Sequence, residues 1–273
     1  MNRRASTIVV NLLLVAGALV TAFPLLWMLS VSFMPNGVAN AYPPPLLPAH
    51  PTLENYRQLF ANQSAGRYML NSAIVATLAT AISLVFNTMA GYAFAKLRFR
   101  WRERLFRGLL GALVIPSQVA MIPLFALVKE MGLVSTYGGV IVPTLASVFG
   151  IFLVRQYALS LPEELLEAAR IDGASELRIF RSLVVPLLQP ILVTLAILTF
   201  LATWNDFMWP LIVITDQKLY TLPVALAGMS REHVQDSELM MAGAVITVVP
   251  VLVLFLVLQR YYIAGILAGS VKG

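Results

Sequence analysis

A charged, amphipathic stretch between two long apolar segments reads EAARIDGASELRIFRSLVVP and occupies residues 167–186. It stands out because 59% of the chain is hydrophobic, only 12% is charged, and the mean hydropathy is +0.82. Such a composition is typical of an integral membrane protein. The 273 residues suffice for a single membrane domain over 1–273 and leave no room for a large soluble catalytic domain.

Six intervals between charged side chains are long and apolar enough to cross a hydrocarbon core, which needs about 20 helical residues. We therefore predict an all-α integral membrane protein with six spans. Their approximate bounds are 7–33, 70–95, 108–128, 133–154, 187–209 and 239–259. The first segment is longer than the apolar region of a signal peptide, so we expect it to be retained as a span.

The lysines and arginines predict on which side of the membrane the loops lie. With the N-terminus in the cytoplasm, fourteen of the 19 basic residues fall inside and five outside. The positive-inside rule then favours N-in, C-in topology with a cytoplasmic loop at 155–186. The inside run KLRFRWRERLFR, 96–107, interleaves bases with aromatics as an RNA-binding patch does. An anchor at lipid headgroups explains the same residues better, and we expect no nucleic-acid partner.

Polar groups and prolines within the predicted spans point to a pathway. Asp206, in TWNDFMWP, is the one ionisable residue predicted to lie well inside a span. With Asn205, and with Trp204 and Trp209 as stacking faces, it is a candidate for a translocation path; a position among interfacial tryptophans is the alternative. Prolines that permit kinks fit a moving pathway better than an inert anchor. They are Pro24, Pro116, Pro123, Pro143, Pro190 and Pro250.

The charged stretch is predicted to form two helices joined by a turn. Ser160 and Glu163 have the spacing of a capping box, which predicts a helix from about Leu161. Gly173 is suited to end it, and Ser175 to cap a second amphipathic helix that ends before Pro186. The predicted apolar face of the first helix comprises Leu165, Leu166, Ala168, Ala169 and Ile171. An interfacial helix resting on lipid is the alternative, but the acidic cluster Glu163, Glu164 and Glu167 suits a protein partner better.

The same stretch resembles the signature of membrane subunits of binding-protein-dependent ABC importers. That signature is EAA, three residues, Gly, nine residues, and an apolar-x-apolar-Pro closing. Here it reads Glu167-Ala168-Ala169, Gly173 and Leu183-Val184-Val185-Pro186, with a mild departure from the usual Ile and Leu. TLENYRQLF, VIPSQVAMIPLF, TWNDFMWPL, YTLPVAL and QRYYIAGILAGSVKG are also similar to the smaller, six-span permease of carbohydrate importers.

The resemblance implies a type I ABC importer permease fold whose cytoplasmic coupling helix docks on an ATPase. It implies ATPase contacts for Glu167, Ala168, Ala169, Asp172, Gly173 and Pro186, and for a C-terminal tail of Ser270, Val271, Lys272 and Gly273. The implied partners are a second permease, two ATPase subunits or an ATPase homodimer, an extracytoplasmic solute-binding protein and the lipid membrane. The implied location is a bacterial-type cytoplasmic membrane.

We therefore predict a non-hydrolytic permease subunit that forms half of the path for a sugar or sugar-like solute. The four lysines precede Leu97, Glu130, Leu219 and Gly273, so no GxxxxGK[ST] phosphate loop exists. ATP and Mg²⁺ are expected on the partner ATPase, and we expect this chain to bind no metal or cofactor. An autonomous secondary carrier or channel is the alternative. A proton-driven carrier usually needs several buried acidic, basic or histidine side chains as a relay, and this chain offers one candidate, Asp206. A membrane-anchored enzyme is a third class, and the sequence offers no candidate catalytic residues for it.

Overall fold

The computed structural model describes residues 3–232 and 236–270, with side chains for 7–229, 236–257 and Gln259. Over these ranges the regular elements are all helices, as predicted. In chain order they are α1 (Arg3–Ser32), α2 (Glu54–Ala61), α3 (Ala65–Lys96), α4 (Arg102–Gly111), α5 (Ser117–Glu130), α6 (Tyr137–Ile141), α7 (Val148–Leu159), α8 (Glu163–Ile171), α9 (Glu176–Ile179), α10 (Val185–Leu187), α11 (Gln189–Trp204), α12 (Met208–Val213), α13 (Leu222–Glu232) and α14 (Ser237–Ser270).

Three helical segments are long and apolar enough to cross a bilayer unaided: Thr7–Ser32, Ala65–Lys96 and Ser237–Val257. Three pairs of helices meet the same criterion only when each pair is counted as one bent span. The described chain thus has three candidate spans, or up to six with the bent pairs. The pairs are Arg102–Val114 with Ser117–Glu130, Tyr137–Thr144 with Val148–Leu159, and Glu176–Leu187 with Gln189–Trp204.

The bends coincide with prolines because a proline removes a backbone donor and restricts the residue before it. Pro116 lies at a 108° break and follows Ile115, which is extended with ψ 119°. Pro143 lies in the 3₁₀ turn directly before the 41° bend, and Pro190 lies directly after the 78° bend. The other three predicted kink sites, Pro24, Pro123 and Pro250, lie inside continuous helices.

The chain forms two compact units, and the first takes its described residues from Met1–Met69 and Leu222–Pro250. The segment between α1 and α2, here called the proline-rich segment, has no regular structure, because a proline has no backbone N–H to donate. Its prolines are Pro35, Pro43, Pro44, Pro45, Pro48 and Pro51. The buried Asn55 amide donates to the carbonyls of Ser32 and Met34, which ties α2 to the end of α1. The backbone N–H of Ala39 donates to the buried carboxylate of Glu238 at 2.7 Å, which ties the segment to the start of α14.

The second unit takes its described residues from Leu70–Thr221 and Val251–Gly273, and it has two apolar clusters. One joins the later part of α3 to α7, α8 and α11, with Tyr92, Val154, Leu166 and Leu195 among its buried members. The other joins the earlier part of α3 to α5, α6 and α12 around Trp209. Since α8 contributes Leu166 to the first cluster, the charged stretch is packed onto the helices and is not a free loop.

Candidate functional site

The charged stretch forms a helical hairpin, here called the EAA hairpin, which consists of α8, a turn, and the segment Glu176–Leu187. Gly173 has φ +79°, a backbone conformation that glycine adopts without strain, so the predicted turn is confirmed. The N–H groups of Gly173 and Ala174 donate to the carbonyls of Arg170 and Ala169, the pattern of a Schellman C-cap. The Ser175 hydroxyl accepts from the N–H of Arg178 at 3.4 Å, so its predicted role as a cap is also confirmed.

Two boundary predictions for the EAA hairpin are wrong. The first helix begins at Glu163 after an extended Pro162, and no side chain caps it. Ser160 has helical φ and ψ, and its hydroxyl donates to Tyr157 O; it ends α7 and cannot take the extended conformation of an N-cap. The second helix runs through Pro186 to Leu187, because a π-helical turn at Phe180–Val184 precedes it and Pro186 occupies a first-turn position.

Ionic contacts fasten the EAA hairpin to the end of α3. Lys96 Nζ donates to Leu161 O at 2.7 Å and lies 3.2 Å from Glu163 Oε2. Arg170 donates to Glu176 at 2.7 Å, and this hydrogen bond raises the pKa of the guanidinium. The Tyr92 hydroxyl donates to the other oxygen of Glu176 at 3.2 Å. Sequence reasoning missed Tyr92 and Lys96, since nothing local indicates which distant carboxylate each one meets.

The outer face of the EAA hairpin is exposed in the part of the chain that the structure describes. Glu167, Ala168 and Asp172 are exposed, and Glu167 makes no ion pair with the described residues. Ile171 is 86% exposed and Leu177 is 63% exposed, although both flank a charged turn. Of the predicted apolar face only Leu166 and Ala169 contact the core, while the remaining three side chains point outward. The five residues of the predicted face are therefore divided between the core and the exposed surface. The outward three are Leu165, Ala168 and Ile171.

A second feature of the same unit is a groove of about 330 Å³ beside α11. Asp206 lines it, and its carboxylate accepts from Trp209 N at 3.4 Å. The other polar lining side chains are hydroxyls that sequence reasoning missed, because isolated serines and threonines carry no signal in an apolar segment. They are Ser83, Thr144, Ser147, Thr199 and Thr203.

The remaining residues predicted for a path lie elsewhere. Trp204 is 2% exposed and stacks on Phe200, and the buried Trp209 donates its indole N–H to Gly139 O. Neither tryptophan is among the residues that line this groove, so their role as stacking faces stays a prediction. Asn205 is exposed, and its amide donates to Leu201 O at the end of α11. Only Asp206 of the predicted set lines the groove.

Asn87 supports the groove from within α3. It is fully buried; its amide donates to Ser83 Oγ at 2.7 Å and its oxygen accepts from Ser147 N at 3.0 Å. Ser147 lies at the break between the two parts of a bent pair, where a backbone N–H loses its helical partner. At membrane depth such a group must be satisfied by protein or by water in a cavity. Asn87 therefore satisfies the broken backbone directly beside the groove.

Two further predictions concern the chain end and metal binding. The proposed tail contact falls on Ser270, whose side chain is not described, and on Val271, Lys272 and Gly273, which lie outside the described residues. Within the described part of the chain, no three histidine, aspartate or glutamate side chains converge as a metal site would require.

Comparison with known proteins adds independent findings. Residues 87–267 match the family model described as the binding-protein-dependent transport system inner membrane component. The chain is 39% identical to the arabinooligosaccharides transport system permease protein AraQ of Halalkalibacterium halodurans, with 100% of both chains covered. It is 35% identical to the melibiose/raffinose/stachyose import permease protein MelC of Bacillus subtilis, with 84% of each covered. It is 33% identical to the sn-glycerol-3-phosphate transport system permease protein UgpE of Salmonella typhimurium, with 97% of each covered.

The fold itself has a solved counterpart. A bacterial ABC transporter involved in the import of the acidic polysaccharide alginate matches with a TM-score of 0.84 at 23% identity, covering 96% of this chain and 99% of the other. At that identity the likeness concerns the fold. The bent pairs and the EAA hairpin therefore belong to an architecture already seen in an importer.

Proposed function

Because the chain belongs to the family of binding-protein-dependent transport system inner membrane components, and is thus a permease component of an ABC importer, we propose that it forms half of a path for a sugar or sugar-like solute. Relatives named for arabinooligosaccharides and for melibiose, raffinose and stachyose support a carbohydrate substrate. A relative named for sn-glycerol-3-phosphate extends the class to small polyol derivatives. The hydroxyl-rich groove with Asp206 suits such solutes, since each hydroxyl can donate or accept.

We propose six spans with both termini in the cytoplasm. Contacts in the second unit support this topology by bringing predicted inside loops together. Lys96 meets Glu163, and Arg155 donates to Glu103 at 3.1 Å, so the loops after α3 and after α7 lie at one end. At the other end, Asn71 donates to the carbonyls of Lys218 and Tyr220, which belong to predicted outside segments.

We further propose that the EAA hairpin is the docking site for a separate ATPase. The observation that carries this role is the exposure of Ile171 and Leu177 on a hairpin that Lys96 and Tyr92 hold in place. Exposed apolar side chains beside Glu167, which forms no ion pair with any residue that the structure describes, are what a protein partner with a basic rim would cover. Glu167, Ala168, Asp172 and Gly173 would face that partner.

The chain would act without hydrolysing ATP itself. The chemistry of ATP and Mg²⁺ belongs in this proposal to two ATPase subunits or an ATPase homodimer, with a second permease completing the path and an extracytoplasmic binding protein delivering solute. The whole chain, 1–273, would serve as one permease domain in a bacterial-type cytoplasmic membrane.

The test is reconstitution with defined partners. The second permease, the ATPase and the binding protein encoded beside this chain would be co-purified with it and placed in proteoliposomes. We expect uptake that needs ATP and the binding protein, and a ligand screen on that binding protein to return a sugar or polyol. Uptake by this chain alone, driven by an ion gradient, would instead establish the secondary carrier.

Topology has its own measurement because the chain has no cysteine. Leu177→Cys in the EAA hairpin and His50→Cys in the proline-rich segment are both exposed positions. In right-side-out vesicles an impermeant maleimide should label His50→Cys only. Labelling of Leu177→Cys in intact vesicles would reverse the proposed orientation.

A further inference from the structure

Five arginines surround one groove that is formed by the segment joining α3 to α4 and by the first turns of α4, at the same end of the second unit as the EAA hairpin. The groove has a volume of about 830 Å³, and Glu103 is the one acidic side chain among its lining residues. The arginines are Arg98, Arg100, Arg102, Arg104 and Arg107. The coupling proposal assigns no role to these arginines, although Arg98 also borders the neighbouring cavity beside Glu163 and Glu167 of the EAA hairpin.

The single carboxylate is already shared by other bases. Arg155 donates to both oxygens of Glu103 at 3.1 and 3.3 Å while its guanidinium lies 4.0 Å from the Phe106 ring centre. Arg102 lies 3.4 Å from the same carboxylate. Arg98, Arg100 and Arg104 have no carboxylate partner among the described residues. The groove therefore holds an excess of positive charge.

Trp101 brings two of these arginines together. The guanidinium of Arg104 lies 4.7 Å from its ring centre and that of Arg100 lies 5.5 Å away. Two like charges on one ring repel unless an anion lies between them. Trp101 also has φ +72°, uncommon for a bulky residue, and it immediately precedes α4, whose ten-residue helix has no side-chain cap. The N–H of Arg102 donates to Phe99 O, and the other uncapped N–H groups at the start of α4 add to the anion-binding character.

Exposed apolar side chains surround the arginines. Trp101 is 51% exposed, and Phe99 and Leu105 beside it are 42% and 55% exposed. Tryptophan next to arginine is typical of the boundary between lipid headgroups and acyl chains. A docking surface for free phosphate would not need these apolar groups.

We propose that this groove binds the phosphate headgroup of an anionic phospholipid from the cytoplasmic leaflet. Arg98, Arg100 and Arg104 would neutralise the phosphate, and Trp101 would lie along the glycerol backbone. The leaflet assignment rests on the topology proposed above; the lipid site itself does not. Because Arg155 and Glu103 join this loop to α7, the bound lipid would steady the end of the unit that carries the EAA hairpin.

The experiment uses the full chain in nanodiscs of phosphatidylcholine with or without phosphatidylglycerol. Native mass spectrometry counts the retained lipids, and thermal unfolding gives Tm. We expect phosphatidylglycerol to be retained preferentially and to raise the Tm of the wild type. Arg100→Gln/Arg104→Gln should bind it about thirty-fold more weakly, which corresponds to about 2 kcal/mol.

A matched control separates a site from bulk charge. Arg178→Gln/Arg181→Gln removes the same charge from exposed positions on the EAA hairpin and should leave lipid retention unchanged. Equal losses in both double variants would overturn the site. Trp101→Gly should also weaken lipid retention, and glycine tolerates the positive φ at this position. This variant replaces the arginine variant as the test if the latter fails to fold. Unchanged retention in Trp101→Gly and in the arginine variant would likewise overturn it.

Two further measurements distinguish a bound lipid from free phosphate and from a contact with the ATPase. If inorganic phosphate in phosphatidylcholine nanodiscs reproduces the Tm rise, the site takes free phosphate and the lipid assignment is wrong. If the arginine variant loses the ATPase in lipid-depleted detergent, the groove is a protein contact instead. Neither lipid retention nor Tm requires transport. Failure of the proposed importer function would therefore not affect the lipid site, and failure of the lipid site would not affect the proposed importer function.

Discussion

A β-carbon placed on Gly91 of α3 would lie 2.6 Å from the β-carbon of Val154 in α7 and 3.0 Å from the backbone nitrogen of Arg155. Real β-carbons do not approach other atoms so closely, and a helix backbone cannot yield as a flexible side chain can. Gly91 is therefore what permits α3 and α7 to pack in contact within the first apolar cluster. Small residues have this role in many membrane helix pairs.

Gly91→Ala should destabilise the protein by about 1–3 kcal/mol, because one methyl group overpacks the contact. Gly108→Ala is the control, since a β-carbon there meets nothing within 4 Å. Its better helix propensity should raise stability by up to about 1 kcal/mol. Thermal unfolding in detergent measures both, and a Tm that rises for both variants would contradict the close packing.

Gly173→Val should strain the turn of the EAA hairpin by about 1–2 kcal/mol, because a side chain disfavours positive φ. A β-carbon added here would meet no described atom within 4 Å beyond its chain neighbours, so the effect is conformational and not steric crowding. Gly173→Asn is the matched variant, since asparagine tolerates this conformation. We expect co-purification with the ATPase to fall for valine and to persist for asparagine. Equal retention by both would remove the turn from the coupling mechanism.

Glu167→Lys should weaken association with the ATPase by about tenfold or more, because reversing a charge in a contact costs over about 1.4 kcal/mol. Glu130→Lys changes the same charge at another exposed position, the end of α5, and should have no effect. Affinity capture of the ATPase and ATP-driven uptake are the measurements. Full uptake by Glu167→Lys would reject its role.

Lys96→Met should cost more stability than Glu163→Gln, although both break the same pair. The Lys96 side chain is 7% exposed and also satisfies Leu161 O, so its loss should cost about 1–3 kcal/mol. Glu163 is 43% exposed, and an ion pair that solvent reaches is worth about 0–1 kcal/mol. Chemical unfolding of the two variants tests the order, and Arg57→Met in an exposed pair should change nothing.

Thr199→Trp should obstruct the groove beside α11 and reduce uptake at least about tenfold, while leaving ATPase association intact. An indole occupies much of a 330 Å³ space, and Asp206 and Ser147 then lose access to solute. Leu211→Trp, at an exposed position outside the groove, is the control. Normal uptake with Thr199→Trp would place the path elsewhere.

Local rules predicted the parts of the EAA hairpin that local chemistry decides. Gly173 and Ser175 satisfy backbone groups within a few residues, and the structure has both as expected. Ser160 and Pro186 were assigned wrongly because a neighbouring helix end and a π-helical turn compete for the same backbone. Propensity alone does not decide between such neighbours.

Contacts distant in sequence escaped prediction for a different reason. Lys96 with Glu163, and Asn87 with Ser147, join residues more than fifty positions apart, and pairing of that kind depends on how the helices pack. The tryptophans of TWNDFMWP illustrate the converse. Their amphipathic character suits an interface, a binding face or a core, and only tertiary packing selects the buried position.

The 78° bend at Leu188 connects the EAA hairpin to α11 through unbroken chain, and the groove lies against the far end of α11. Because the chain is continuous through this bend, a displacement of the EAA hairpin would move α11 in a different direction. If an ATPase displaces the EAA hairpin parallel to the membrane surface, α11 would convert that displacement into a change in the width of the groove at Thr203 and Asp206. The rigidity of the bend, where Leu188 is fully buried, would then determine how much of the displacement of the EAA hairpin reaches the groove.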